Sequence, residues 1–157
     1  MQVWKFGGTS VGKPERMRSI RQLITEDGMP KIVVLSALSG STNTLLSISE
    51  SIIALQIQEA KEKAATLRAH YNSFIQELYA SEQGLQKAEA ILAKEFGLID
   101  QLIATAPYTT KQEKEMVALG ELLSTQIFEA YLQEEGVDSY LLPALDFMVI
   151  DEDKEPI

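Results

Sequence analysis

The first residues that could do chemistry form the string Lys-Phe-Gly-Gly-Thr-Ser at positions 5–10. Its two glycines allow a sharp turn that exposes backbone N–H groups to a phosphate, and its two hydroxyl residues add donors. Lys5 supplies a positive charge for the oxygens of a phosphoryl group in transfer. Taken alone, a tight turn beside a solvent-exposed lysine explains the same string. The candidate phosphate-binding residues are Lys5, Gly7, Gly8, Thr9 and Ser10.

The same segment contains the beginning of a P-loop. Residues 7–13 read Gly-x-x-x-x-Gly-Lys, but Pro14 stands where a P-loop needs Ser or Thr to ligate magnesium. A P-loop also has no need of a lysine in the preceding strand, where Lys5 lies. We therefore disfavour a P-loop.

A second polar segment, Ser-Ala-Leu-Ser-Gly-Ser-Thr-Asn, occupies positions 36–43 directly after a β-branched run. If that run is a parallel strand, the segment lies at the strand's carboxyl end, where open α/β sheets bind ligands. Its hydroxyl groups could hydrogen-bond a carboxylate, and Gly40 permits close approach. A helix N-cap at Ser41 or Thr42 is expected in any case, so binding would be additional to capping. The hydroxyl residues are Ser36, Ser39, Ser41 and Thr42.

A third candidate is Glu121, in the string Gly-Glu-Leu-Leu-Ser at positions 120–124. It falls in the apolar part of a predicted helix, and the neighbouring glycine leaves room for a ligand. A carboxylate there could bind a substrate ammonium group. A partly exposed glutamate at the rim of a helix is the alternative interpretation.

The elements that must position these groups begin with a βαβ unit. Residues 2–6 are rich in strand formers, and a helix from Pro14 places Met17, Ile20 and Ile24 at helical spacing. Residues 32–35 form a continuous β-branched run typical of a strand buried on both faces. Two such strands joined by a helix predict a parallel sheet with a right-handed crossover.

The rest of the chain is mainly helical. The apolar spacing predicts one helix from Thr42 to about Gln58, two more between there and Pro107, and a fourth from about Thr110 to Glu135, capped by Gly136. Residues 138–142 and 146–150 are predicted to be short strands. Three or four strands with so much helical cover suggest that further strands lie beyond Ile157.

Composition excludes several classes of function. A net charge of −9 argues against non-specific binding to nucleic acid or to an anionic membrane. No cysteine is present, which excludes disulfides and thiolate chemistry. No apolar run approaches the roughly 20 residues of a membrane span, and the first residues lack a signal-peptide pattern. We expect a soluble, cytoplasmic protein with no nucleic-acid or membrane partner.

Three motifs in this order together resemble the aspartokinase family. They are Lys-Phe-Gly-Gly-Thr-Ser-Val at 5–11, Leu-Ser-Ala-Leu-Ser-Gly-Ser-Thr-Asn at 35–43 and Gly-Glu-Leu-Leu-Ser at 120–124. The resemblance spans nearly the whole chain. It implies a three-layer α/β/α sandwich of the amino-acid kinase (carbamate kinase-like) type, here incomplete and with a large helical insertion.

The resemblance also implies an activity and a set of roles. The family transfers the γ-phosphoryl group of ATP, as co-substrate with Mg²⁺, to the side chain of L-aspartate, giving 4-phospho-L-aspartate on the way to lysine, threonine and methionine. Lys5 would be catalytic, and the other residues of 7–10 would line the phosphate path. Ser36, Ala37 and Thr42 would hold aspartate, and Glu121 would take its ammonium group. No protein ligand to the metal is expected in this segment.

Some parts of the family pattern are absent. Residues 1–157 correspond to the N-terminal, aspartate-binding part, whereas a Gly-Arg-Gly-Gly-Ser-Asp segment, the adenine and ribose site and the ACT regulatory domains are missing. Leu119 stands where relatives often have His or Arg. We therefore expect an inactive fragment. We also expect a homo-oligomer, because truncation should expose a sheet edge or apolar face that can pair.

Alternatives remain at this point. The parent could be a bifunctional aspartokinase/homoserine dehydrogenase, or less plausibly a sister kinase acting on glutamate or a nucleotide. A helical interaction module without activity is an alternative of another class, since residues 42–135 are mostly amphipathic helix. That alternative leaves Lys5 and the two glycine loops without a purpose.

Overall fold

The computed structural model describes residues 1–105 and 107–148. Its first part is the expected βαβ unit. Strand β1 (Gln2–Phe6) is followed by a single helical turn, α1 (Gly8–Val11), then by helix α2 (Pro14–Thr25) and strand β2 (Lys31–Leu35). The two strands pair in parallel, with Gln2 opposite Lys31 and Phe6 opposite Leu35. The parallel sheet is therefore confirmed, while the helical turn α1 was not predicted.

Four long helices make up most of the remaining chain. They are α3 (Ser41–Ile53), α4 (Ile57–Leu78), α5 (Glu82–Ala104) and α6 (Thr110–Glu134). Each packs against the next, and α6 returns to contact both α3 and β2. One continuous apolar core runs through them and the βαβ unit, because α2 and the inner face of the strands pack on the same cluster. The helix α6 thus reaches from the helical layer to the end of the sheet.

Three expectations about regular structure were wrong. Helix α3 ends at Ile53 rather than near Gln58, because Leu55 adopts a left-handed backbone and is largely exposed. Residues 138–142 form no strand, since no partner strand lies beside them among the described residues. A short 3₁₀ turn at Ala144–Asp146 replaces the start of the last predicted strand, and residues 149–150 lie outside the described residues.

The sheet is also not covered on both faces. Trp4 and Phe6 turn towards the core, but the other face carries Val3, Ile32 and Val34, which are 65%, 39% and 43% exposed. The β-branched run predicted a strand buried on both sides, whereas the helices of residues 1–105 and 107–148 cover only one. The apolar composition of the exposed face is what a covering layer would require.

Candidate functional site

Two loops leave the same end of the sheet, because both follow parallel strands. Loop 1 (residues 5–10) runs from β1 into α1, and loop 2 (residues 36–43) runs from β2 into α3. The ladder continues past the strands, where the Ser36 amide donates to the Phe6 carbonyl at 3.0 Å. A side chain on Gly8 would come within 3.1 Å of the Ala37 carbonyl oxygen. The two loops are therefore in direct contact at the carboxyl ends of the two strands.

Loop 1 is shaped by its backbone. The Gly7 carbonyl accepts from the amides of Ser10 and Val11, at 2.8 and 3.2 Å, and this closes the turn α1. Lys5 and Thr9 are exposed. Lys5 pairs with Val34 in the sheet register, at the end of β1 and on its uncovered face. Loop 1 thus presents a cation and a hydroxyl group to open space.

Two residues that sequence reasoning did not assign also shape loop 1. The Arg16 guanidinium, from α2, donates to the Thr9 carbonyl. Gly12 lies so close to loop 2 that a side chain there would meet the Cβ of Ser39 at 2.7 Å. The sequence indicated Gly12 only as part of the disfavoured P-loop pattern. Its actual role is to let the segment after loop 1 pack on loop 2.

Loop 2 is fastened to α6 at its beginning. The Ser124 hydroxyl donates to the Ser36 carbonyl at 2.8 Å, and the Ala37 amide points at Glu121 Oε1 at 3.5 Å. Gly120 permits this approach, because a side chain there would lie 2.9 Å from the Ala37 Cβ. The structure therefore brings Ser36, Ala37 and Glu121 together.

Glu121 is the half-buried carboxylate of this arrangement. None of the ion pairs formed by the described residues includes it. Its contact with the Ala37 amide is at the long limit of a hydrogen bond. A carboxylate in this setting retains accepting capacity for a cationic ligand, since it can accept several hydrogen bonds.

Loop 2 is fastened to α4 at its far end. Ser41 Oγ and Tyr71 Oη lie 3.0 Å apart, and both residues are buried. Burial raises the pKa of Tyr71 to about 12; the Ser41 hydrogen bond opposes this rise and the nearby Glu121 charge adds to it. The tyrosine is therefore neutral at physiological pH. The sequence does not reveal this pair, because helical spacing does not indicate the partner of a tyrosine hydroxyl.

The expected N-cap by Ser41 or Thr42 was wrong. Gly40 is the N-cap of α3, with φ at +84°, and it makes no side-chain capping bond. Ser41 is instead the first residue of the helix and directs its hydroxyl to Tyr71. Thr42, the next residue, is half-buried in the first turn of α3. All predicted aspartate-binding residues therefore lie on loop 2 or on α6 beside it, while their roles remain predictions.

Comparison with known proteins shows the family of the chain. The amino acid kinase family matches residues 1–156. Aspartokinase 3, chloroplastic, of Arabidopsis thaliana is 31% identical over 96% of this chain and 27% of its own length. Lysine-sensitive aspartokinase 3 of Escherichia coli (strain K12) is 32% identical over 87% of this chain and 29% of its own. E. coli aspartokinase III in complex with aspartate and ADP has a TM-score of 0.78 at 28% identity, covering 97% of this chain and 33% of that structure.

The chain belongs to the amino acid kinase family, and the relatives named above within that family are aspartokinases. The incomplete α/β fold and the resemblance of the chain to aspartokinases are thereby confirmed. The chain spans about a quarter to a third of the length of these relatives. The names of the relatives support a general functional class, that of kinases in amino-acid biosynthesis.

No helix within residues 1–105 and 107–148 is long and apolar enough to cross a membrane. Some of the relatives carry chloroplastic names, so the cytoplasmic location stays a prediction. A bifunctional aspartokinase/homoserine dehydrogenase of Arabidopsis thaliana is 26% identical over 94% of this chain and 17% of its own length. The bifunctional alternative therefore also stays open.

Proposed function

We propose that residues 1–157 form the N-terminal, aspartate-binding part of an aspartokinase. The whole enzyme would transfer the γ-phosphoryl group of ATP to the side-chain carboxylate of L-aspartate, giving 4-phospho-L-aspartate, the first step towards lysine, threonine and methionine. The observation that supports this most strongly is the fastening of loop 2 to α6 beside Glu121, a half-buried carboxylate outside every described ion pair.

The proposed aspartate site follows from the polarity of these groups. Glu121 would accept hydrogen bonds from the substrate ammonium, which a charged acceptor binds more strongly than a neutral one. Ser36, Ala37 and Thr42 would hold the substrate through backbone and hydroxyl groups of loop 2. Because Ser124 and Gly120 already fix that loop against α6, little ordering would be needed when aspartate binds.

The proposed phosphate path is loop 1. A carboxylate oxygen of aspartate would attack the γ-phosphorus, the bond to the β-phosphate oxygen would break, and ADP would leave. Lys5 would neutralise charge on the phosphoryl oxygens, and the backbone of Gly7 and Gly8 with the hydroxyls of Thr9 and Ser10 would line the path. Mg²⁺ would supply further neutralisation of the phosphate charge, and we assign it no ligand among the described residues.

The ATP-binding half and the ACT regulatory domains would lie in sequence outside this chain. Positioning supplies most of the catalysis in phosphoryl transfer, so a chain with only part of the site should not convert substrate to product. A coupled ADP-release assay with L-aspartate and Mg-ATP tests this. We expect no aspartate-dependent signal above the blank for residues 1–157, and a clear signal once the chain is extended by its downstream coding sequence. Turnover by the chain alone would contradict the division of the site, and an extended protein without aspartate-dependent turnover would contradict the function.

Two other functions predict different properties, which activity and binding assays would distinguish. A bifunctional parent would add homoserine dehydrogenase activity to the extended protein, and the similarity to such an enzyme keeps this candidate open. A helical interaction module would bind neither aspartate nor phosphate. The packing of Gly8 and Gly12 on loop 2 argues for a built site rather than a helical module alone.

The uncovered face of the sheet supports the proposed homo-oligomer. Val3, Ile32 and Val34 form an exposed apolar surface on two strands whose outer edges have no partner strand among the described residues. Such a surface tends to pair with another copy unless something covers it. Light scattering should therefore give a mass above that of the monomer, and a clean monomer at high concentration would contradict the expectation.

A further inference from the structure

Apart from Thr44 of α3, whose hydroxyl donates to the Gly40 carbonyl, three side chains from outside loop 2 form hydrogen bonds with it in the described part of the chain. Ser124 and Glu121, on α6, act on the first two residues of the loop. Tyr71, on α4, acts on Ser41 at the other end, where α3 begins. The two ends of loop 2 are therefore held by different helices, and the far end depends on Tyr71.

The Ser41–Tyr71 pair is well suited to hold the loop, because both hydroxyl groups are shielded from solvent. Ser41 is 1% exposed and Tyr71 is fully buried. Among the described residues, each hydroxyl has the other as its hydrogen-bond partner. A buried hydroxyl that loses its partner bears the cost of desolvation, so any shift of Ser41 away from Tyr71 is unfavourable.

The tyrosine is itself held rigidly. Its ring packs edge-on against Phe96 of α5, with the ring centroids 5.8 Å apart. The Ser41 amide donates to the Leu38 carbonyl at 2.9 Å, so the backbone of loop 2 is tied to the residue that carries the hydroxyl. A displacement at Ser41 would therefore be transmitted to Leu38 on one side and to Thr42 on the other.

We propose that Tyr71 is a positioning residue for aspartate binding. Through Ser41 it fixes the first turn of α3, and hence the position of Thr42 relative to Glu121, without itself touching the substrate. This inference rests on the proposed function. The geometry supports it, because the Ser41 hydroxyl, in the first turn of α3, lies 3.0 Å from the Tyr71 hydroxyl.

Tyr71→Phe tests the proposal with a matched control. The substitution removes one buried hydroxyl and leaves the ring in place. Tyr79→Phe does the same at another position, because the Tyr79 hydroxyl donates to the Ile127 carbonyl at 2.6 Å and to no residue of loop 2 among the described hydrogen bonds. Amide hydrogen exchange of residues 38–44 and the Kd for L-aspartate, from an NMR titration, are measured on the 157-residue chain. We expect Tyr71→Phe to speed amide exchange in residues 38–44 and to raise the Kd for L-aspartate about tenfold. Tyr79→Phe should lose comparable stability but change neither the exchange of residues 38–44 nor the Kd for L-aspartate.

A double variant tests whether the effect passes through Ser41. If the two hydroxyls act as one unit, Ser41→Ala combined with Tyr71→Phe should bind aspartate no more weakly than Tyr71→Phe alone. Additive losses would overturn the coupling. If circular dichroism shows that Tyr71→Phe does not fold, the same measurements are made on Ser41→Ala alone.

The remaining outcomes separate this inference from the proposed function. If the wild-type chain shows no aspartate binding at all, the proposed function is contradicted, while hydrogen exchange still tests the positioning. If exchange in loop 2 changes no more in Tyr71→Phe than in Tyr79→Phe, the positioning role is overturned. Altered exchange with unchanged affinity overturns the link to aspartate.

Discussion

Loop 1 and loop 2 leave the same edge of the same sheet, yet they are held in different ways. Loop 2 is fastened by side chains from α4 and α6, and Ala37, Leu38 and Ser41 are buried. Loop 1 is closed by its own backbone and by Arg16, and it leaves Lys5 exposed on the uncovered face. The difference indicates that this chain pre-forms the proposed aspartate side of the site, whereas the proposed phosphate side needs further structure around it.

The largest effect should come from loop 1. In a protein with the complete kinase domain, Lys5→Ala should lower kcat about 10³-fold and change the KM for aspartate little, because its charge acts mainly in the transition state. Steady-state kinetics check this.

Lys13→Ala is the matched control for that prediction. Lys13 is also exposed and lies just after loop 1, and a P-loop would assign the essential charge to it. We expect near-normal turnover for Lys13→Ala. If the two variants exchanged behaviour, the assignment of Lys5 would be wrong and a P-loop mechanism would be favoured.

A smaller effect should come from α6. Glu121→Gln should weaken the binding of L-aspartate about tenfold, since a charge-assisted hydrogen bond to the ammonium group is lost. ATP binding in the complete domain should stay the same. Glu113→Gln removes a carboxylate from the same helix, two turns away and also half-buried, and should leave aspartate affinity unchanged. Equal affinities for all three proteins, measured by calorimetry, would reduce Glu121 to a structural residue.

The sequence predicted some features of these regions and missed others. Periodicity predicted the βαβ unit and all four long helices, because Met17, Ile20 and Ile24 repeat at the spacing that burial requires. Glycine and hydroxyl patterns placed both loops correctly. These features are local, so a short window of sequence contains their cause.

Features that depend on distant partners were missed. The pairing of Ser41 with Tyr71 spans 30 positions, and nothing in either segment indicates the other. The uncovered face of the sheet was missed for the same reason, since a run such as that at 32–35 records an apolar environment without showing which helices supply it. The predicted strand at 138–142 failed because strand propensity needs a neighbouring strand.

The smallest effect concerns stability at high pH. Burial raises the pKa of Tyr71 to about 12 and also raises the pKa of Tyr79, so the folded chain holds both protons longer than the unfolded chain does. The stability that Tyr71 contributes is complete below pH 10 and is lost as pH rises from about 10 towards 12, by about 1 kcal/mol per pH unit. The contribution of Tyr79 is likewise lost as pH rises above about 10. Urea unfolding at pH 9, 10 and 11 should show a shallower fall for Tyr71→Phe than for wild type. Identical slopes for wild type and for both Tyr→Phe variants would contradict the prediction.

The most direct test of the comparison between the loops is one NMR titration of residues 1–157 with L-aspartate, with succinate as the control that lacks the ammonium group. If loop 2 and α6 are a pre-formed aspartate site, L-aspartate should shift the amides of residues 36–43 and of Glu121 at millimolar concentration, and those of residues 5–10 much less. Succinate should shift them weakly. Equal responses to both ligands, or shifts confined to residues outside loop 2 and α6, would contradict the account.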